Sequence, residues 1–572
     1  GKAVILKYDQ DENVTNKKII NYDWDNNEVR EKRTPNSAER RYQKTLSKNF
    51  TLYADYKKNF NDRHDLSVMV GTSHESENYD RFTAKRINFD QQENMSLQLG
   101  SAQDQNAWSE GNQWTINSFF SRVNYTFANK YVIEGTIRAD GSSRFDPDLR
   151  WGWFPGVNAA WRVGEEGFMK RLGWFEDLKV RASYGEMGNQ SGIGLYDYIQ
   201  LISLSNDYYP FGTGVKGQMA TSGNIISTSR TWETIQTTNV GFDFSTLNNR
   251  LYGSFDYFWK ENKNMLIPKT YPSMLGADAP STNSGHLSIH GWEISLGWRD
   301  QIKDFSYSVR FNISDAKNKV VDRVGSNLIQ LGNNETPTGY PLNSYFGYEF
   351  DGIIQNEQEL EAYKSRFSEG GIPGDLSVGD AMYKDLDGDG KLSVLGDGKE
   401  GSGDVKYLGD KNPRYNFGFN LSMAWKGFDL SAFIQGVGRR TMFLEGESRC
   451  PMPEAWYQSA EYWYGKTWTP ERTDAQYPAI TLKDKRNYNY YVSTNTKFNV
   501  AYARLKNLQF GYTIPQTLTS KAGLQKVRVY FSGEDLFEVH NTPNGWDPEE
   551  NSGSITSYPF TRNYSFGINV VF

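Results

Sequence analysis

The run Asp385-Leu386-Asp387-Gly388-Asp389-Gly390-Lys391-Leu392-Ser393 carries carboxylates at its first, third and fifth positions. That spacing is the opening half of an EF-hand calcium loop. Three acidic side chains converge on one hard cation, Gly390 at the sixth position permits the sharp turn, and Lys391 at the seventh offers its backbone carbonyl. The carboxylate usual at the twelfth position is missing, because Gly396 stands there and Asp397 follows one residue late. The expectation is a structural Ca2+ held by Asp385, Asp387, Asp389, the Lys391 carbonyl and Asp397. The plainer alternative is a Gly-Asp turn with solvated carboxylates. No base or nucleophile pattern lies nearby, so such an ion would stiffen a loop, and nothing in the chain argues for an enzyme.

A second chemical feature is the segment 454–468, which holds Trp456, Tyr457, Tyr462, Trp463, Tyr464 and Trp468. Aromatic faces stack on the apolar faces of sugars while their polar edges hydrogen-bond, so these six are candidate substrate contacts. The competing reading, favoured here, is a loop core packed on itself. Three other patterns carry less. The stretch 212–217 matches G-x-G-x-x-G but lies in a Tyr- and Ser-rich loop, without the strand and helix a dinucleotide site needs. His286 and His290 fall on one strand face, too few for a metal site, and read as a polar pair facing a lumen. The acidic run 547–551 reads as a solvated loop tip.

These residues must be positioned by strands. In 305–313 Phe305, Tyr307, Val309, Phe311 and Ile313 alternate with Ser306, Ser308, Arg310 and Asn312; segments 178–185, 292–299 and 415–425 alternate in the same way. Period 2 puts each set on one face. The strands run to about a dozen residues, longer than the 5–6 usual in soluble sheets. Aromatics crowd their ends; the 572 residues include 36 Tyr, 33 Phe and 16 Trp. Mean hydropathy is -0.70, and no apolar run reaches the length of a membrane helix, which leaves an alternating membrane barrel open. A net charge of -6 argues against nucleic acid as a partner. Cys450 is the single cysteine, so no internal disulfide is possible. The first ten residues do not read as a signal peptide.

Connections fall into two classes. Short turns lie at 127–130, 247–250, 299–304 and 425–428; long connections lie near 77–113, 188–232, 262–286, 319–413, 441–496 and 538–558. That asymmetry is characteristic of outer-membrane barrels, with short periplasmic turns and long extracellular loops. The expected fold is all-β, a transmembrane antiparallel β-barrel with about 16 strands in this chain. Polar strand faces, among them Lys179, Arg181, Arg299 and Arg310, should line its lumen. The final run 563–572 alternates apolar and small polar residues to Phe572, as a strand closing a barrel would. A soluble β-propeller or tandem sandwich is the competing architecture, and no repeat of 40–50 residues supports it.

Several segments together resemble the SusC/RagA-type TonB-dependent transporters of Bacteroidota outer membranes. They are RADGSSRFDPDLRWGWFPGVNAAWRVGEEGFM (138–169), LKVRASYGEMGNQ (178–190), DLDGDGKLS (385–393), YLGDKNPRYNFGFN (407–420), WKGFDLSAFIQG (425–436), WTPERTDAQYP (468–478) and YARLKNLQFGYTIP (502–515). The resemblance is strongest from about residue 114 onward. It implies a barrel of about 22 strands, an N-terminal plug reached by TonB, and a SusD-like lipoprotein lid. It also implies import of glycans or peptides across the outer membrane, contact with outer-membrane lipids, and a dimer of the transporter–lipoprotein pair. Relative to that pattern the chain lacks the plug, the TonB box and about six strands, so 1–572 reads as the C-terminal part of a longer barrel. Alternatives are a siderophore or cobalamin importer, a soluble carbohydrate-binding protein, and a passive porin or adhesin.

Overall fold

The computed structural model describes residues 2–15, 18–22, 28–33, 37–89, 96–103, 105–205, 210–211, 215–216, 219–222, 226–268, 281–323, 331–332, 336–395, 403–453, 459–481, 485–550, 558 and 560–572. Among them, sixteen strands form one antiparallel sheet in sequence order. They are β1 (Lys2–Thr15), β2 (Ser37–Phe60), β3 (His64–Ile87), β4 (Gln105–Phe127), β5 (Tyr131–Ser142), β6 (Trp151–Arg162), β7 (Asp177–Asn189) and β8 (Glu233–Thr246). The second half comprises β9 (Leu251–Pro268), β10 (Ser281–Ile302), β11 (Phe305–Asp322), β12 (Arg414–Trp425), β13 (Phe428–Arg439), β14 (Tyr502–Thr513), β15 (Lys526–His540) and β16 (Asn563–Val571). The all-β expectation is met, with each strand paired to its neighbour in the chain.

Register makes the two faces continuous. Ile294 of β10 lies opposite Phe255 of β9 and Ile313 of β11, and Ile313 lies opposite Phe417 of β12. Val240 of β8 faces Ala182 and Tyr257; Phe242 faces Val180 and Phe255. Directly opposed residues share a face, so this apolar set is one exposed band, the lipid side of a membrane barrel. Its opposite face carries Lys179, Arg181, Asp243 and Asp256. Lys179 Nζ lies 2.7 Å from Asp243 Oδ2, and Arg181 Nη2 lies 3.2 Å from Asp243 Oδ1. Arg299 and Arg310 flank the Tyr252 ring at 5.3 and 5.8 Å. An arginine placed mid-strand on the apolar band should cost roughly 2–4 kcal/mol, and one on the polar face little. We therefore expect Val240→Arg to cut the folded, heat-modifiable fraction on a denaturing gel, and Asn239→Arg to leave it intact.

The connections largely alternate. Most even-numbered strands return through a short link, with longer ones at 163–176 after β6 and 514–525 after β14; odd-numbered strands leave through longer connections, apart from the brief 143–150 after β5. The tightest turn, Lys426-Gly427, joins paired Trp425 and Phe428 with φ of 45° and 89°. Positive φ at both central residues matches the twist of a two-residue hairpin. Two sequence boundaries need correction. β3 and β4 pair through Arg86–Gln105, so most of 77–113 is strand; β9 and β10 pair through Pro268–Ser281, which shortens the connection at 262–286. Polar residues in these stretches hide the strands because they alternate with other polar residues above the apolar band.

The connections after β11 and β13 leave the same end of the sheet and fold together. Tyr348, Ile354, Leu360, Tyr363, Phe367 and Tyr383 of the first pack with Tyr488 of the second. The helix Glu357–Arg366 begins at Asn356, whose side chain accepts from the Glu359 amide, while Glu359 Oε2 accepts from the Gln355 amide. This reciprocal cap satisfies donors that a short helix leaves open.

Candidate functional site

The Asp-rich loop lies on this folded cap. Gly388 and Gly390 adopt φ of 74° and 77°, the left-handed geometry that an L side chain resists. Asp385 accepts from the Gly388 and Gly390 amides at 2.7 and 3.1 Å, which curls the chain around its carboxylate. The carboxylates that converge are those of Asp385, Asp387 and Asp404, whose ligand atoms all lie within 4.8 Å of one another. Asp389 is not in this group; its Oδ1 accepts from the Lys391 amide at 2.8 Å. Lys391 forms a parallel bridge with Gly370. Asp397 lies outside the described residues. Asp404 replaces these in the cluster, and sequence reasoning missed it. It is fully buried and accepts from the Leu386 and Ser393 amides at 2.7 and 2.8 Å, tying both ends of the loop. No spacing rule points to it, because it arrives from beyond the loop.

Electrostatics mark the cluster as short of positive charge. Burial, followed by the charges of Asp387 and Asp385, pushes the Asp404 carboxyl up from its usual range. Burial and the neighbouring Asp389 and Asp385 charges do the same to Asp387. An all-oxygen, all-anionic donor set of this kind suits a hard divalent cation.

The aromatic segment divides. Tyr462 and Trp463 are buried, 9% and 3% exposed, in a cluster with Tyr477, Tyr490 and Trp546. The Tyr462 and Tyr477 hydroxyls meet at 2.7 Å, and the Trp463 and Tyr477 rings lie edge to face at 4.8 Å. These two residues are therefore core and not ligand contacts. Trp468 donates Nε1–H to Gln355 Oε1 at 3.0 Å, which makes it a brace between the two long connections. Tyr464 is 90% exposed and free to stack on a ligand. Trp456 and Tyr457 lie outside the described residues.

Two further expectations change. His286 and His290 are separated by a register shift at His286/Leu287. His286 Nε2 meets Glu261 Oε2 at 2.6 Å. His290 lies opposite Trp259 and Lys317, on the face of the apolar band and not of the lumen. The acidic run after β15 is no solvated tip. Arg504, 1% exposed, holds Asp547 Oδ2 at 2.5 Å and Glu549 Oε1 at 3.2 Å. Lys506 bridges Glu549 and Asp535 at 3.1 and 2.7 Å. The cations of β14 pull this connection down onto the strand ends.

Comparisons with known proteins agree with this architecture. Residues 3–536 match the family model described as TonB dependent receptor-like, beta-barrel. The chain is 32% identical over 558 residues to TonB-dependent receptor P3 of Formosa agariphila, covering 92% of this chain and 52% of that protein. To TonB-dependent receptor SusC of Bacteroides thetaiotaomicron it is 26% identical, covering 91% of this chain and 50% of that one. It thus spans about half the length of these relatives. The solved structure of the RagAB peptide transporter superposes with a TM-score of 0.77 at 23% identity, covering 94% of this chain and 56% of that one. That likeness is one of fold.

Proposed function

This chain belongs to the TonB-dependent receptor β-barrel family, and from that premise we propose that it forms the barrel of an outer-membrane nutrient importer. In this reading an N-terminal plug fills the lumen and is engaged by TonB, and a SusD-like surface lipoprotein closes over the cap. The cargo is a glycan or oligosaccharide, with peptides as the other class. The observation that carries the reading is the pairing of a lipid-facing apolar band with a large cap folded from the connections after β11 and β13. A passive pore needs no such cap. The polar face bearing Lys179, Arg181, Asp243 and Asp256 supplies a charged wall for the plug. Exposed Tyr464 offers a stacking surface for a sugar ring.

A mild-detergent pull-down from the native outer membrane, with mass spectrometry of what co-elutes, tests it. A SusD-like lipoprotein and plug peptides support an importer; a barrel recovered with neither overturns it. Uptake of labelled oligosaccharides against labelled peptides then separates the two cargo classes.

A structural Ca2+ on Asp385, Asp387 and Asp404 belongs to the same reading. Its role is to fix the cap surface that meets the lid. Chelation should expose 385–395 to protease while the barrel stays folded. Asp404→Asn should weaken Ca2+ binding by roughly tenfold or more, because it removes one of three charges and loosens the loop anchor. Calorimetry that finds equal Ca2+ affinity in the variant would remove the ion from the model of the cap.

A further inference from the structure

A cavity of about 350 Å3 sits where the long-connection ends of β11 and β13 meet the segment 405–414. Lys317, Lys319, Arg414, Arg439 and Arg440 line it against one carboxylate, Asp410. Some of these charges are committed elsewhere. Arg414 is paired with Asp315. Arg440 donates to the Pro548 and Glu550 carbonyls at 2.9 Å each. Asp410 accepts from the Tyr407 hydroxyl at 2.8 Å and the Asn412 amide at 3.0 Å. The side chains of Lys317, Lys319 and Arg439 make no hydrogen bond or ion pair with another described residue, although Lys317 acts on the Asp315 carboxylate at longer range. The positive field reaches beyond the cavity: Lys497 is held below the usual lysine range by burial and then by the charges of Arg439 and Lys406. Cations that outnumber the one lining carboxylate, Asp410, repel each other, and an anion relieves that cost.

Register says which anion can reach the two lysines; Arg439 follows Gln435 and Val437 on the polar face of β13 and meets the lysines at the cavity wall, at the strand ends. Lys317 lies opposite His290, one step above Asp315 opposite Trp292, and two above Ile313 opposite Ile294. Below these come Phe311 opposite Leu296 and Val309 opposite Trp298. Lys317 and Lys319 therefore share the face of the apolar band and begin where that band ends. An apolar band stands about 25 Å tall, and lipid headgroups lie at its rim. The acidic groups nearby are occupied: Asp315 by Arg414, and Glu261 by His286 and Ser288.

We propose that this cavity binds the phosphate of a membrane-lipid headgroup, with Lys317, Lys319 and Arg439 as its cations. That the lipid is in the outer leaflet rests on the orientation proposed above; the phosphate site does not. The test uses the full chain in mild detergent, examined by native mass spectrometry after passage through phosphatidylethanolamine vesicles with or without a diphosphorylated glycolipid. Retention of a phosphorylated lipid by the parent, falling roughly tenfold or more in K317Q/K319Q, supports the site. R439Q should lower retention further. The two lysines are exposed, so the variant should keep a heat-modifiable barrel and its capture of the lipoprotein, which separates failure here from failure of the importer reading. Equal retention in parent and variant overturns the proposal, as does the absence of any retained phosphorylated lipid. Saturable binding of inorganic phosphate without lipid retention also overturns it, and assigns the cavity to a soluble anion.

Discussion

Replacing Arg504 by Met should release the connection between β15 and β16 and cost roughly 3–5 kcal/mol, the usual loss when one partner of a buried ionic cluster is removed. The guanidinium is 1% exposed and faces Asp547, Glu549 and Glu538. It also lies 4.5 Å from the centre of the Phe560 ring. Met keeps the apolar stem and deletes the charge, so packing is spared and the electrostatic loss isolated. Lys506 then remains for Glu549 and Asp535, and Arg562 for Glu538. Protease cleavage between 541 and 562 should rise sharply at unchanged barrel content on a denaturing gel. Adding Asp547→Asn should restore part of the loss, because Asp547 pairs with Arg504 and is the carboxylate left without its cation. Cleavage equal to the parent's would mean that the backbone alone holds the connection, with Arg504 incidental.

Tyr383→Ala should unfold the cap without opening the barrel. The Tyr383 side chain is fully buried and its hydroxyl donates to the Tyr488 carbonyl at 2.8 Å. Its ring packs against Tyr348, Tyr488 and Tyr491 at 5.4, 5.3 and 5.9 Å. Truncating a buried aromatic of this size costs about 3–5 kcal/mol, and the orphaned carbonyl adds roughly 1–3. Tyr383→Phe loses only the hydrogen bond, about 1 kcal/mol. The cap core joins two connections distant in sequence, so losing it separates both. Near-UV circular dichroism should report a large loss of aromatic signal in the alanine variant and little in the phenylalanine variant. Capture of the proposed lipoprotein should fail in the first and survive in the second. A barrel that melts together with the cap would show the two to be one cooperative unit.

The distribution of these effects follows from what can be read along a chain. Strands such as 305–313 and 415–425 are legible because each side chain meets either lipid or a polar lumen, and period 2 records that choice residue by residue. Strand ends above the lipid are not, since both faces there meet water; β3 and β4 therefore run well past their apparent limits. Local turn chemistry is legible too. The two glycines of 385–393 announce a tight loop, and the structure gives both of them positive φ.

By itself, the sequence determined the all-β class, the strand order, the two kinds of connection and the position of the Asp-rich turn. All of these depend on neighbours along the chain, where alternation and turn residues act directly. The tertiary structure alone decided that Asp404 and not Asp389 joins Asp385 and Asp387. It also decided that Tyr462 and Trp463 are core, that Asp547 and Glu549 are clamped by β14, and that Lys317 and Lys319 meet Arg439 around one cavity. Each of these joins residues brought together by cross-strand register or by packing between connections, and no periodicity records such a meeting.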